Sequence, residues 1–252
     1  MQSALNQFEA AMGHVRNLLD LYHGLETQSS LKYNTSDLLR SALVASVSAL
    51  DYYIHEVVIL GVLAIYRGER AEPDVQRNAT QSAFAKVQVS LGGPWNDRQE
   101  ILNIAAWLGE EIQRQRGLEF TEQPHTLAEL SPLITAAIRE RLTQSTWLET
   151  ELRERLSYQS FQQPDKIADA LRSICDRPLW DTVAADLDRS SQSIKQQLRE
   201  IVDRRNKIAH EADVDPSYGI GNRWPIDADM VSQAVDFVEQ VVQSIHRILT
   251  EV

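Results

Sequence analysis

Three residues near the end of the chain have the types and the spacing for acid–base chemistry on an anion: Arg205, Asn206 and His210. Asn206 and His210 are four residues apart, so they lie one turn from each other on a helix, while Arg205 is rotated about 100° from Asn206. A histidine titrates near neutral pH and can move a proton, and a guanidinium can hold a phosphate. We therefore take these three as candidate catalytic residues.

A helix over Ser190 to Glu211 must position them. Arg205 falls on its apolar stripe, where an unpaired guanidinium is costly to bury, so Arg205 must meet a carboxylate or line a cleft that admits an anion. Between Lys195 and Lys207 five basic residues stand against two acidic ones, a balance of +3, and we predict that Arg204 and Lys207 bind substrate. The apolar stripe consists of Ile194, Leu198, Ile201, Val202, Ile208 and Ala209.

Helical periodicity extends along almost the whole chain, with Gly and Pro between the periodic segments, which predicts an all-α fold. A first helix is expected over residues 3–28, and a central one from Thr35–Asp37 to Arg67, about 45 Å long at 1.5 Å per residue. A shorter helix is expected over 79–91. The absence of an obvious linker favours one domain over 1–252 with a helical insertion at about 92–157.

Composition indicates the class of protein and its cellular location. The chain has 252 residues, 43% of them hydrophobic and 24% charged, which is typical of a soluble globular protein. The single cysteine, Cys175, is expected in the core, and no Cys or His spacing suggests a metal site, so we expect no metal or other cofactor. The N-terminus does not have a signal-peptide pattern, and we expect a cytoplasmic protein.

Two further features limit the partners. The apolar stretch from Ser41 to Tyr66 is interrupted by Asp51, His55 and Glu56, so it predicts a buried helix and no membrane partner. The net charge of −11 opposes sequence-independent binding along duplex nucleic acid, but it permits a small basic site.

Several other residues have alternative interpretations. Asp51 and His55 lie one turn apart and either approach the site and support its catalytic residues or, as we favour, form a pair that holds helices together. The remaining histidines, His246 among them, are assigned to the polar surface. The five tryptophans are assigned to the core or to interfaces, because a base-stacking platform normally accompanies a basic groove.

The run LREIVDRRNKIAHEAD at 198–213 resembles the Arg-(polar)-x-x-x-His signature of HEPN ribonucleases, with Asn206 as the polar residue. SALVASVSALDYYIHEVV at 41–58 and SYQSFQQPDKIADAL at 157–171 are similar to the RiboL-PSP branch of that superfamily. The resemblance implies a HEPN-type helical bundle and a metal-independent endoribonuclease. In such enzymes the 2′-hydroxyl attacks the adjacent phosphate at a site shared between two chains.

Partners and roles follow from the resemblance only. It implies RNA as substrate, a homodimer, a toxin or antiviral role, and an antitoxin or regulatory protein as a further partner. His210 would move the proton, Arg205 would stabilise the phosphate, and Asn206 would orient His210 or donate to a phosphate oxygen. The alternative function is a catalytically inactive HEPN module that binds nucleotide, RNA or a protein; a purely structural helical scaffold is a third interpretation.

Overall fold

A computed structural model of the chain describes residues 1–27, 35–73, 96–143, 146–217 and 222–251. Within these ranges the regular structure is helical, with one isolated antiparallel bridge between Val214 and Arg223 and no strand, so the all-α prediction is confirmed. The helix predicted over 79–91 lies outside the described residues. The helices are α1 (Gln2–Glu26), α2 (Ser36–Tyr66), α3 (Asn96–Arg116), α4 (Leu118–Thr121), α5 (Leu127–Thr143), α6 (Thr146–Ser157), α7 (Pro164–Leu171), α8 (Leu179–Asp186), α9 (Ser191–His210) and α10 (Ala228–Thr250).

The chain divides into two compact units, residues 1–83 with 155–252 and residues 84–154. In the second unit α3 contacts α4 and α5, and the imidazole of His125 stacks on Phe120 with 3.7 Å between ring centroids. The single domain over 1–252 stays a prediction, as does the insertion at about 92–157. All candidate site residues belong to the first unit.

The central element of the first unit is α2, against which α1, α9 and α10 pack. Leu50, Tyr53 and Ile54 have no exposed surface, and where α2 passes Ile174 a Cβ on Gly61 would come within 2.7 Å of that side chain, so glycine permits the close approach. By length and composition α2 could cross a membrane, but 61% of its most apolar window is buried inside the protein. It is therefore the buried helix that the sequence predicted.

One helix of this unit was not predicted. Leu179–Asp186 forms α8, which begins directly after Pro178 and buries Leu179, Trp180 and Val183. The Trp180 indole donates to the Pro164 carbonyl at 2.9 Å. The spacing of these apolar residues is helical, but the helix spans only 8 residues, which is too few for a clear periodicity.

The assignment of His246 to the surface was wrong. Its side chain lies in the core, where its Nδ1 and the Tyr53 hydroxyl share a hydrogen bond of 3.2 Å. Burial lowers the pKa of His246, the positive N-terminus lowers it further, and Glu9 opposes both effects. Burial raises the pKa of Tyr53, so the phenol stays protonated and can donate to the neutral imidazole.

Protonation of His246 is therefore expected to destabilise the protein in mild acid. Its folded pKa lies below the unfolded value of about 6.5, so its contribution is present above that pH and is lost as the pH falls through the folded pKa. Urea unfolding from pH 8 to pH 5 should show the difference in unfolding free energy between wild type and His246→Gln shrinking as the pH falls. The exposed His14 supplies the control, His14→Gln. A wild-type advantage that stays constant with pH would contradict this account.

Candidate functional site

The site residues occupy the last two turns of α9. Ser190 caps the start of this helix by accepting a hydrogen bond from the Ser193 amide at 3.1 Å. At the other end the Lys207 carbonyl accepts from the amides of Glu211 and Asp213, both at 3.0 Å, so the helix ends directly after His210. The predicted bounds of this helix, Ser190 to Glu211, agree with the structure to within a residue at each end.

The buried part of α9 is smaller than its apolar stripe suggests. Ile194, Leu198, Ile201 and Val202 are buried, whereas Ile208 is only half-buried and Ala209 is exposed. The last turns therefore lie at the edge of the core, and apolar surface beside the candidate residues remains uncovered within the chain.

Arg205 is half-buried, and not all of its hydrogen-bond donors have a partner among the described residues. Its Nη1 donates to Asn206 Oδ1 at 3.0 Å, while its Nε is buried and has no acceptor among the described residues. No described carboxylate pairs with it. The sequence predicted that Arg205 either meets a carboxylate or lines a cleft that admits an anion, and the described residues do not supply the carboxylate. A buried donor without a partner costs free energy unless a ligand or water supplies the acceptor.

His210 is exposed and makes no hydrogen bond or ion pair within the part of the chain that the structure describes. At 100° per residue it lies about 40° from Asn206 and about 60° from Lys207 around the helix. Arg205 is about 140° away by the same geometry. His210 therefore neighbours Asn206 and Lys207 on one face, and only the length of the Arg205 side chain brings its guanidinium to that face.

Arg204 is placed differently from its prediction. Its guanidinium pairs with both carboxylate oxygens of Asp213, one of them at 2.9 Å, and also donates to the carbonyls of Trp224 at 3.3 Å and Pro225 at 3.2 Å. These contacts occupy donors that a substrate phosphate would need. The geometry favours a structural role for Arg204, and its substrate-binding role stays a prediction without support here.

Arg40 completes a cluster that the sequence did not predict. Its Nε donates to Asp213 at 2.7 Å, its Nη1 to the Ser36 hydroxyl at 2.7 Å, and its Nη2 to the Trp224 carbonyl at 2.9 Å. The Asp213 side chain is 1% exposed and lies between two guanidinium groups, so the three side chains carry a net charge of +1. The cluster ties the start of α2 to the loop that follows His210.

The loop after α9 has an unusual backbone. Ala212 and Asp213 both have positive φ, at 52° and 59°, a conformation that is unfavourable for residues other than glycine. This backbone conformation directs the Asp213 carboxylate inward, while the Asp213 carbonyl accepts a hydrogen bond from the Trp224 amide at 2.9 Å. The contacts of the cluster thus offset the strain and hold both ends of the loop.

Lys207 is exposed, as its predicted role requires, and its ammonium lies 4.9 Å above the centre of the Trp224 ring. Their neighbours in the chain, Ile208 and Arg223, line a cleft of about 440 Å³. The charged side chains in its lining are two arginines and two aspartates, Arg40, Arg223, Asp37 and Asp213. Substrate binding by Lys207 stays a prediction.

The comparisons with known proteins bear on this part of the chain. Residues 135–251 match the RiboL-PSP-HEPN family model. This HEPN match confirms the resemblance noted at 157–171 and 198–213, and it covers α6 to α10 with the Arg205–His210 segment. The segment 41–58 lies outside the matched residues. No curated protein and no solved structure matches the chain. The HEPN match indicates a nucleotide-binding or RNase-like module.

Asp51 and His55 lie on α2 beside the start of the HEPN segment 157–171, and their described contacts are structural. Asp51 accepts from the Phe161 amide at 2.6 Å and from the Gln162 side chain at 3.1 Å. The His55 ring nitrogens bond the carbonyls of Asp51 at 2.8 Å and Leu156 at 3.0 Å. The pair holds the connector before α7 against α2, which is the interpretation that we favoured. A role of the two residues in supporting the catalytic residues stays a prediction.

No group of three or more His, Cys, Asp or Glu side chains suited to holding a metal occurs among the described residues. Cys175 is buried, as predicted. Arg40, Asp213 and Trp224 are the residues that sequence reasoning missed. The only sequence signal for them was an acidic residue, Asp213, shortly after a basic helix.

Proposed function

We propose that this HEPN protein is a metal-independent endoribonuclease. The observation that carries the proposal is the Arg205 guanidinium, whose buried Nε has no acceptor among the described residues and whose Nη1 contacts Asn206. The Nη2 atom of the same guanidinium makes no hydrogen bond among the described residues and is not buried, so a phosphate oxygen can bind there, and a guanidinium can stabilise the extra negative charge of a phosphoryl-transfer transition state. His210, exposed on the neighbouring face, supplies a group that can exchange protons at neutral pH.

The proposed reaction requires a base and an acid. One His210 accepts the proton of the 2′-hydroxyl as the 2′-oxygen bonds to phosphorus. A second imidazole donates a proton to the 5′-oxygen as the P–O5′ bond breaks, which leaves a 2′,3′-cyclic phosphate and a 5′-hydroxyl. Arg205 holds the non-bridging oxygens and Asn206 fixes the Arg205 side chain through its Oδ1 atom. The step transfers two protons and consumes no other reactant.

A homodimer would supply the second imidazole. Within one chain there is one His210, so a phosphate held by Arg205 has either a base or an acid beside it but not both. Two-fold pairing of α9 with a second copy would bring another Arg205 and the partner's His210 to the same phosphate. The exposed Ala209 and half-buried Ile208 provide apolar surface for that contact.

The direct test is incubation of the purified protein with total RNA, with and without EDTA. We expect cleavage that resists EDTA and leaves 5′-hydroxyl ends, because the proposed proton transfers and charge stabilisation use side chains only. Loss of cleavage on chelation, with recovery on adding magnesium or manganese, would contradict the mechanism. Binding without cleavage would favour an inactive module that binds nucleotide or RNA, and neither would favour a scaffold or a protein-binding module.

Subunit mixing tests the shared site. We expect His210→Ala and Arg205→Ala to be inactive alone, because each homodimer lacks both copies of one residue. After subunit exchange the heterodimer keeps one His210 and one Arg205 from opposite chains, so part of the activity should return. Native mass spectrometry verifies the exchange. No recovery despite verified heterodimers would rule out a shared site in which one His210 and one Arg205 suffice. Full-rate cleavage by a protein that light scattering shows to be monomeric would rule out the composite site.

The biological setting extends the proposal. A toxin or antiviral effector in the cytoplasm, restrained by an antitoxin or regulatory protein, is the role that the HEPN resemblance implies. Arg204 and Lys207 remain candidates for substrate contact, and of the two only Lys207 has its charged group outside an ion pair in the described residues.

A further inference from the structure

Trp224 has surroundings that distinguish it from a core tryptophan. Trp180 is buried and its indole donates to the Pro164 carbonyl at 2.9 Å, whereas Trp224 is half-buried and its indole N–H has no acceptor among the described residues. The sequence argued against base stacking because no basic groove was evident. The structure gathers Arg40, Arg204 and Lys207 around Trp224.

The position of Trp224 is fixed by its backbone. Its amide donates to the Asp213 carbonyl at 2.9 Å, and its carbonyl accepts from Arg40 at 2.9 Å and from Arg204 at 3.3 Å. These hydrogen bonds hold the loop without using the indole. The ring is thus presented at a fixed place, and its one described polar neighbour is the Lys207 ammonium at 4.9 Å.

The ring is also close to the proposed reaction site. Lys207 and His210 are adjacent on α9, about 60° apart around the helix, so the Lys207–Trp224 pair continues the face that carries His210. Arg223 precedes Trp224 in the chain and lines the cleft of about 440 Å³. Its ion pair with Asp37 joins two exposed side chains, so a phosphate can compete for it at little cost.

We propose that Trp224 is a base-stacking subsite for an unpaired RNA nucleotide next to the cleaved phosphate, with Lys207 contacting a neighbouring phosphate. The inference rests on the proposed function and deepens it. Stacking of a base on an indole is a stronger contact than an exposed lysine over the ring, so a base can replace the ammonium above Trp224. The displaced Lys207 then remains beside His210, where the RNA backbone passes.

A local stacking site also fits the charge of the protein. With a net charge of −11 the chain cannot rely on long-range attraction to a polyanion. Stacking adds an attraction that does not depend on charge, and it selects unpaired over paired bases because paired bases are already stacked in the duplex. The subsite therefore predicts a preference for single-stranded RNA.

Binding can be measured apart from cleavage by using the His210→Ala protein and a short fluorescein-labelled single-stranded RNA with 2′-O-methyl groups throughout. We expect Trp224→Ala to weaken binding about tenfold, as loss of one base stack does, and Trp224→Phe to keep most of the affinity. Lys207→Gln should lower the slope of log Kd against log salt concentration by about 0.7, the value for one phosphate contact on a single strand. Fluorescence anisotropy measures both effects, and the same strand annealed to its complement gives the affinity for duplex RNA.

The controls are matched by residue type. Trp107→Ala removes a half-buried tryptophan in the unit 84–154, and Lys195→Gln removes a half-buried lysine from the same helix. Neither should change the affinity. Circular dichroism verifies that each variant is folded. If Trp224→Ala is unstable, the affinities of Trp224→Phe for single-stranded and duplex RNA are compared instead. A ring that only packs against the protein would not discriminate single-stranded from duplex RNA, so the ratio of the two affinities would not change.

The outcomes separate the two proposals. If the wild-type protein cleaves RNA and Trp224→Ala binds the probe as tightly as its parent, the subsite is overturned and the proposed function stands. If Trp224→Ala weakens single-stranded and duplex binding equally, stacking is also overturned. If the wild-type protein neither binds nor cleaves RNA, both proposals fail. Selective loss of single-strand affinity in Trp224→Ala, with Trp107→Ala unchanged, supports the subsite.

Discussion

We expect His210→Ala to lower the rate of RNA cleavage by about a hundredfold to ten-thousandfold, the range that loss of a general acid or base produces. In the proposed dimer the substitution removes both imidazoles, so the base and the acid are lost together. His210→Gln keeps a polar side chain of similar size but cannot exchange protons, and it should be as inactive. The measurement is the initial rate on a defined RNA at saturating protein.

The same substitution should leave the fold almost intact. His210 is exposed and makes no hydrogen bond or ion pair within the described ranges, so its substitution removes none of these contacts. The free energy of unfolding should therefore change by no more than about 0.5 kcal/mol, as is usual for a surface substitution. His14→Ala, which removes an exposed histidine from α1, is the matched control and should cleave at the wild-type rate. A folded His210→Ala protein with wild-type activity would remove His210 from the mechanism.

The fold could be predicted where apolar spacing persists over several turns. The helices α2 and α9 were predicted to within a residue or two, because their apolar positions recur along 31 and 20 residues. Helix α8 was missed because it spans 8 residues. His246 was assigned to the surface because it is polar and its hydrogen-bond partner was not recognised. That partner, Tyr53, lies 193 residues away in the sequence.

At the candidate site, too, the sequence could not predict contacts between residues that lie far apart in the chain. The sequence identified Arg205 as a core-edge arginine that needs an acceptor, and the structure leaves its Nε without one among the described residues. It could not distinguish Arg204 from Arg205, because the contacts that occupy Arg204 come from Asp213, nine residues on, and from Trp224, 20 residues on. Spacing along one helix predicts which side chains share a face, whereas a loop decides which of them is occupied.

Asp213→Ala is expected to cost about 3 to 5 kcal/mol of the free energy of unfolding, the usual penalty for removing one partner of a buried ion pair. Asp213 is 1% exposed, and its loss leaves the guanidinium groups of Arg40 and Arg204, 8% and 17% exposed, with only the exposed Asp37 carboxylate, 3.8 Å from Arg40 Nη1, as a counter-charge. Repulsion between the two cations adds to their desolvation. Urea denaturation followed by circular dichroism measures the loss.

The control for this experiment is an aspartate in an exposed ion pair outside the cluster. Asp169 is 58% exposed and pairs with Arg172, so Asp169→Ala should cost at most about 1 kcal/mol. If the two alanine variants were equally stable, the cluster would not hold the loop. Asp213→Asn provides a second measurement in case Asp213→Ala does not fold: it keeps one oxygen acceptor but removes the charge, so its stability should lie between those of wild type and alanine.

Combining Asp213→Ala with Arg40→Met then isolates the cause of the loss. The double variant removes one of the two unpaired cations and replaces it with an apolar side chain of similar length, which a buried position accepts. We therefore expect it to recover part of the stability that Asp213→Ala loses. If the double variant instead lost the sum of the two single costs, the packing and backbone of Asp213 would account for its contribution, and the electrostatic explanation of the cluster would be wrong.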